Sequence, residues 1–133
     1  MFRMCRAFLP AMIAAGHSSI INMSSTYGHR GAAYASIYVG AKHAVEGITK
    51  SVALELAKTG IRVNPVAPGP TDTGMLTRFT GTAENKAALH RQVPLDRLGL
   101  SEEVADGIVF ISSDGAKWIT GEILNVDGGM TAN

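Results

Sequence analysis

Apolar and polar positions alternate with changing period along the chain. Met1, Met4, Phe8 and Met12 recur at steps of three or four, the spacing of one helix face. This predicts a buried or half-buried helix over 1–15, stopped at Gly16, a favoured C-terminal cap. Pro10 removes one backbone donor and is expected to kink that helix. Ser19–Met23 reads as a short apolar strand leading into a Ser/Thr/Gly loop over 24–31. From Ser36 to Lys58 the pattern turns helical, with Val45, Ile48, Val52 and Leu56 on one face and Thr59-Gly60 as the stop. Ile61–Ala67 is a second strand, ended by the turn formers Pro68-Gly69-Pro70. Pro65 is unusual inside it, because proline donates no ladder hydrogen bond.

Residues 71–100 are polar and irregular, with one helix expected from Ala83 to about Gln92. Asp72 is a candidate cap for a short helix after it. Ser101-Glu-Glu-Val reads as a helix start capped by Ser101, with Val104, Ile108 and Ile111 turned inward. A third strand is expected over Glu122–Asp127, ending at Gly128-Gly129, with Trp118 packed beside it. Strands separated by helices of this length argue for parallel pairing in an α/β fold. Three strands are few for such a sheet, and the pattern opens in a helix with no strand before it. The chain therefore reads as the rear, C-terminal part of a doubly wound sheet whose N-terminal half is missing.

Composition narrows the function classes. Twelve basic and eleven acidic residues give a formal net charge of +1, so no basic surface for nucleic acid is expected. One cysteine, Cys5, cannot form an internal disulfide. No run of about 18 apolar residues suggests a membrane span. Arg3 and Arg6, followed by Ala7–Ala15 and the small residues before Gly16, resemble a signal peptide. The apolar stretch is short and broken by Pro10, so a helix and a cytoplasmic location are expected instead. His17, His29, His43 and His90 lack metal-ligand spacing; no metal site is expected, and they read as surface or loop residues.

Tyr38-Val-Gly-Ala-Lys42 carries the chemistry. On a helix, positions four apart share a face, so phenol and ammonium can approach each other. A cation beside a phenol stabilises the phenolate, which makes the group usable as a general acid or base. Ser25 could hold a substrate carbonyl and stabilise developing negative charge. With three tyrosines and five lysines in 133 residues, such a pair arises by chance in roughly one sequence in nine. Alone the spacing also fits an ordinary amphipathic helix with Lys42 in solvent.

The surroundings decide between the two. Ser25 closes Ile20-Ile-Asn-Met-Ser-Ser25 and precedes Tyr38 by thirteen residues. This arrangement resembles the short-chain dehydrogenase/reductase family. The resemblance continues through Ile61-Arg-Val-Asn64, Pro68-Gly69-Pro-Thr-Asp-Thr73, Leu98-Gly99, Glu102-Glu-Val-Ala105 and Ile119–Gly129, essentially the whole chain. It implies a Rossmann-type NAD or NADP enzyme acting on a small alcohol or carbonyl substrate. Tyr38 would exchange the proton, Lys42 would assist it and bind the nicotinamide ribose, and Ser25 would hold the substrate oxygen. Ser24 would be structural. Pro68, Gly69, Thr71 and Thr73 would meet the nicotinamide carboxamide. Residues 74–95 would be the substrate loop, with Met75, Leu76 and Phe79 as lid residues. A 3-oxoacyl-thioester reductase and a sugar or cyclic-alcohol dehydrogenase both fit. The resemblance also implies homo-oligomers built through 1–15, 36–58 and the last strand.

No two of the fifteen glycines lie two positions apart, so no Gly-x-Gly phosphate loop is present. The family's upstream catalytic Asn would fall before Met1. The strand at 19–23 is expected to leave an apolar edge open. The isolated chain is accordingly expected to bind cofactor weakly and to be inactive or poorly folded. The competing reading is an inactive fragment that keeps only its oligomerisation surfaces.

Overall fold

The computed structural model describes residues 1–132. Eight helices and strands follow in order: α1 (Phe2–Ala15), β1 (Ser18–Met23), α2 (Ser36–Leu56), β2 (Ile61–Pro68), α3 (Gly74–Thr80), α4 (Ala83–His90), α5 (Ser101–Ser112) and β3 (Leu124–Val126). The three strands form one parallel sheet in the order β1-β2-β3. Such a sheet needs cover on both faces. Successive residues of a strand point to opposite faces, and the core divides accordingly. Ile20, Ile61 and Val63 pack with Val52, Ala53 and Leu56 of α2 and with Leu9 and Met12 of α1. Ile21 and Val66 pack with Val104, Ile108 and Ile111 of α5.

Gly16 and Gly60 end their helices with φ of 73° and 78°, where glycine meets no Cβ penalty. On α1, however, Cys5, Leu9 and Met12 face the sheet, whereas Met1, Met4 and Phe8 are exposed. The predicted buried face is therefore only partly buried, because α1 touches little besides β1. Met1, Met4 and Phe8 instead line a groove beside the β1 edge that carries no partner strand among the described residues.

Pro65 lies in the central strand opposite Asn22. The Val63 N–H donates to Thr120 Oγ1 and its carbonyl accepts from Gly121 N–H, so Val63 bonds away from β1. By the two-residue alternation Pro65 faces the same way, and pairing with β3 starts only at Val66. The missing donor thus costs the ladder nothing.

The same contacts shorten the third strand to Leu124–Val126. Asn64, fully buried, donates through Nδ2 to the Ile119 carbonyl and accepts at Oδ1 from Glu122 N–H. Side chains of Asn64 and Thr120 replace the ladder over 119–122. Trp118 is not packed beside the strand as expected but is 97% exposed. Arg62 donates to the carbonyls of Ile111, Ser112, Ser113 and Ile119, placing a cation on the C-terminal end of α5.

Neither predicted N-terminal cap holds. The cap position of α5 is Leu100, whose N–H donates to the Glu103 carboxylate, and Ser101 is the first helical residue. Thr73, not Asp72, caps α3 by accepting from Leu76 N–H, while Asp72 pairs with Lys86 at 2.6 Å. Paired with Arg97 and bonded by Leu100 N–H, the Glu103 carboxyl is held down from 4.5 to about 2. Its contribution to stability is full above the unfolded value and is lost as pH falls from 4.5 toward about 2. In an NMR acid titration Glu103 should protonate well below the ordinary glutamate range, and Arg97→Ala should raise its midpoint only part of the way, because the Leu100 N–H still bonds it. Among the described residues no helix is long and apolar enough to cross a membrane.

Candidate active site

Parallel α/β sheets place their sites beyond the carboxyl ends of the strands. Here the backbone leaving β1 stays on the sheet through Ser24 N–H, which donates to the Val66 carbonyl at 2.8 Å. Ser25 follows in extended conformation and begins a single 3-10 turn over Thr26–Gly28. Its Oγ accepts from Tyr27 N–H at 3.2 Å. Among the described residues the Ser25 hydroxyl makes no donation of its own, so its hydrogen is available to a ligand.

Tyr38 and Lys42 stand one turn apart near the start of α2. The Lys42 ammonium lies 5.6 Å from the centre of the Tyr38 ring and donates to the Met23 carbonyl at 2.9 Å. That bond ties α2 to the end of β1. The Tyr38 ring meets Tyr27 edge-on at 6.4 Å between centroids and leans on Phe79 of α3 at the same distance. With 39% of its surface exposed, Tyr38 is reachable from solvent.

The end of β2 forms the next wall. Gly69 N–H donates to the Val126 carbonyl, and a Cβ on Gly69 would stand 2.7 Å from Cα of Asp127. Only glycine permits that approach. Thr71 donates to the Gly69 carbonyl, and Thr71 and Asp72 are pinned to Gly99. Asp127 in turn accepts from Gly129 N–H, Thr131 N–H and Thr131 Oγ1, which fixes the turn that follows β3.

A cavity of about 380 Å³ opens where these segments meet. All seven residues singled out from the sequence line it: Ser25, Tyr38, Lys42, Pro68, Gly69, Thr71 and Thr73. Met75, Leu76 and Phe79 of the 74–95 segment line it as well, with Tyr27, Leu89, Val104 and Met130. The last four carry no sequence signal for the site beyond that of apolar residues in helices and turns, Val104 reading only as a core position of α5. Lys42 is the one charged side chain among the lining residues.

Ser24 points the other way. Its hydroxyl donates to Glu46 Oε1 at 2.7 Å, inside the protein. His29 lies at the surface as expected, with its ring turned inward to bond the same carboxylate at 3.0 Å. Among the described residues no group of three or more His, Cys, Asp or Glu could hold a metal ion.

The chain is similar in sequence and fold to known proteins. A family model described as enoyl-(acyl carrier protein) reductase matches residues 1–131. The 3-oxoacyl-(acyl-carrier-protein) reductase FabG of Chlamydia trachomatis is 40% identical over 129 residues, 97% of this chain and 51% of the relative. The cis-4-hydroxycyclohexanecarboxylate dehydrogenase of Sinomonas cyclohexanicum is 45% identical over 121 residues, 91% of this chain and 48% of the relative. A gluconate 5-dehydrogenase from Burkholderia cenocepacia, solved with NADP and tartrate, superposes with a TM-score of 0.93 at 32% identity over 99% of this chain and 52% of its own. The chain thus spans about half the length of the relatives it matches. With the family model covering nearly all of it and the sheet superposing on solved members, the chain belongs to the short-chain dehydrogenase/reductase family of oxidoreductases.

Proposed function

We propose that this chain carries the site of an NAD(P)-dependent oxidoreductase that interconverts a secondary alcohol and a ketone with an apolar body. One observation carries the reading: Ser25, Tyr38 and Lys42 line a single cavity at the carboxyl ends of β1 and β2.

The donor set fits the nicotinamide end of such a cofactor. It offers one ammonium, several hydroxyls and the backbone following Pro68, with no carboxylate among the lining residues to repel the cofactor. Lys42 would hold the ribose, and Pro68, Gly69, Thr71 and Thr73 the carboxamide. When bound, the nicotinamide supplies or accepts the hydride. The remaining chemistry is this chain's own. In reduction the Tyr38 phenol passes its proton to the carbonyl oxygen, and in oxidation it takes the proton back. Lys42, held near the ring by the Met23 carbonyl, stabilises the phenolate left behind. Ser25 donates to the same substrate oxygen and keeps it within reach of Tyr38.

The walls favour an apolar substrate. Met75, Leu76 and Phe79 of α3, Leu89 of α4 and Val104 of α5 present hydrocarbon to the cavity. A hydroxyl buried there without a partner costs about 1–3 kcal/mol. A polyhydroxylated acid would bury several against these hydrocarbon walls. The acyl and cyclic-alcohol readings are thereby favoured over the sugar reading.

A panel of NADPH-dependent reductions tests this. Cyclohexanone and acetoacetyl-CoA should each exceed 5-ketogluconate in kcat/KM by about 100-fold. Phe79→Asp should cost cyclohexanone about tenfold, the effect of placing a charge where the substrate needs hydrocarbon. Equal or better use of 5-ketogluconate would overturn the apolar assignment.

A further inference from the structure

Glu46 is a buried titratable group that the mechanism above does not use. It is 4% exposed in the middle of α2, against the segment that carries Ser25. A buried carboxylate is costly unless its lone pairs are satisfied. Here Oε1 accepts from Ser24 Oγ at 2.7 Å, and His29 Nδ1 lies 3.0 Å and 3.3 Å from the two oxygens. The carboxylate also presses on the backbone between these partners: a Cβ on Gly28 would stand 2.1 Å from Glu46 Oε1 and 2.3 Å from Ser24 Oγ.

These contacts bracket Ser25. Ser24 precedes it, Gly28 closes the turn it caps and His29 follows, and Gly28 N–H donates to the Ser25 carbonyl at 2.7 Å. Glu46 follows Lys42 by one turn and Tyr38 by two, so one helix face carries phenol, ammonium and carboxylate at four-residue steps. The arrangement is not that of a serine nucleophile with its base. His29 bonds the carboxylate and not the serine, and Ser24 is buried away from solvent.

We propose that Glu46 is a positioning residue: by clamping Ser24 and His29 to α2, it fixes the direction of the Ser25 hydroxyl relative to Tyr38 and Lys42. This rests on the oxidoreductase reading for its consequence in turnover, but not for its consequence in structure. Two measurements on the full chain separate these.

The first is amide hydrogen exchange. Glu46→Ala removes the acceptor, and exchange at Tyr27 and Gly28 should rise about tenfold or more relative to Val52 and Ala53 later in α2. Glu46→Gln keeps an oxygen for Ser24 and should hold exchange within about threefold of the parent. Unchanged exchange at Tyr27 and Gly28 in Glu46→Ala overturns the proposal, whether or not the chain turns over.

The second is a double-mutant cycle on ketone reduction by NADPH. Glu46→Ala should lower kcat about tenfold with the KM for NADPH unchanged, and Glu46→Gln should restore most of it. In a Ser25→Ala background the same change should cost less than about twofold, since neighbours acting through one group are not additive. Equal losses in both backgrounds would mean that Glu46 only supports the fold, and would overturn the positioning role. Absence of turnover in a parent chain that shows the expected exchange pattern would count against the oxidoreductase reading alone.

Discussion

Tyr38→Phe should abolish turnover while leaving the fold and the cavity in place. The ring keeps its edge-on contact with Tyr27 and its contact with Phe79, because both involve the aromatic faces and edges and not the hydroxyl. Among the described residues the Tyr38 hydroxyl makes no hydrogen bond, so its removal strands no partner. What disappears is the proton that balances hydride addition to a carbonyl. A positioned general acid contributes about 10²–10⁴-fold, and Phe offers no replacement. The variant should therefore melt within about 2 °C of the parent, as expected for a change that removes no packing, and lose at least about 100-fold in kcat. Thermal unfolding alongside steady-state kinetics checks both halves. Loss of the fold together with activity would show that the phenol is a packing residue.

A large effect on stability is expected at Gly69. A Cβ there would stand 2.7 Å from Cα, 2.8 Å from Cβ and 3.1 Å from the carbonyl oxygen of Asp127. All but the Cβ are backbone atoms, and no rotamer change relieves the clash. Nor can Asp127 retreat freely, because its carboxylate anchors Gly129 and Thr131, and Gly69 N–H is itself bonded to Val126. Gly69→Ala must therefore pry β2 from the chain leaving β3. Overpacking of this kind costs about 1–3 kcal/mol, or a fall of roughly 3–12 °C in melting temperature for a chain of this size. Calorimetry of the two chains reads it. An unshifted melting temperature would mean that the sheet end is looser than its hydrogen bonds imply.

The long elements were legible because their signals are local. The four apolar residues of α2 and the αL glycines at 16 and 60 set helix limits without any tertiary information. Tyr38 and Lys42 were legible for the same reason, since four-residue spacing on a helix is itself geometry. Ser25 was not: its selection came from the resemblance, and its place beside the other two depends on how β1 pairs with β2. Tertiary contacts account for the misses. Asn64 and Thr120 take over hydrogen bonds that a six-residue third strand would have made. Thr73 and Leu100 displace the expected caps because neighbouring partners, Lys86 for Asp72 and Glu103 for the start of α5, claim those groups first. Glu46 sits where an amphipathic helix ordinarily shows a solvated charge, and nothing in its spacing announces Ser24 or His29 as partners. The absent Gly-x-Gly is legible directly, and it sets the expectation that this chain holds a cofactor by its nicotinamide end.

Product analysis with the folded chain, NADPH and cyclohexanone tests the central claim most directly. One cyclohexanol should form per NADPH consumed, and Tyr38→Phe should form none on the same timescale. A Phe variant that makes cyclohexanol at the parent's rate would contradict the assignment of Tyr38 as the proton donor.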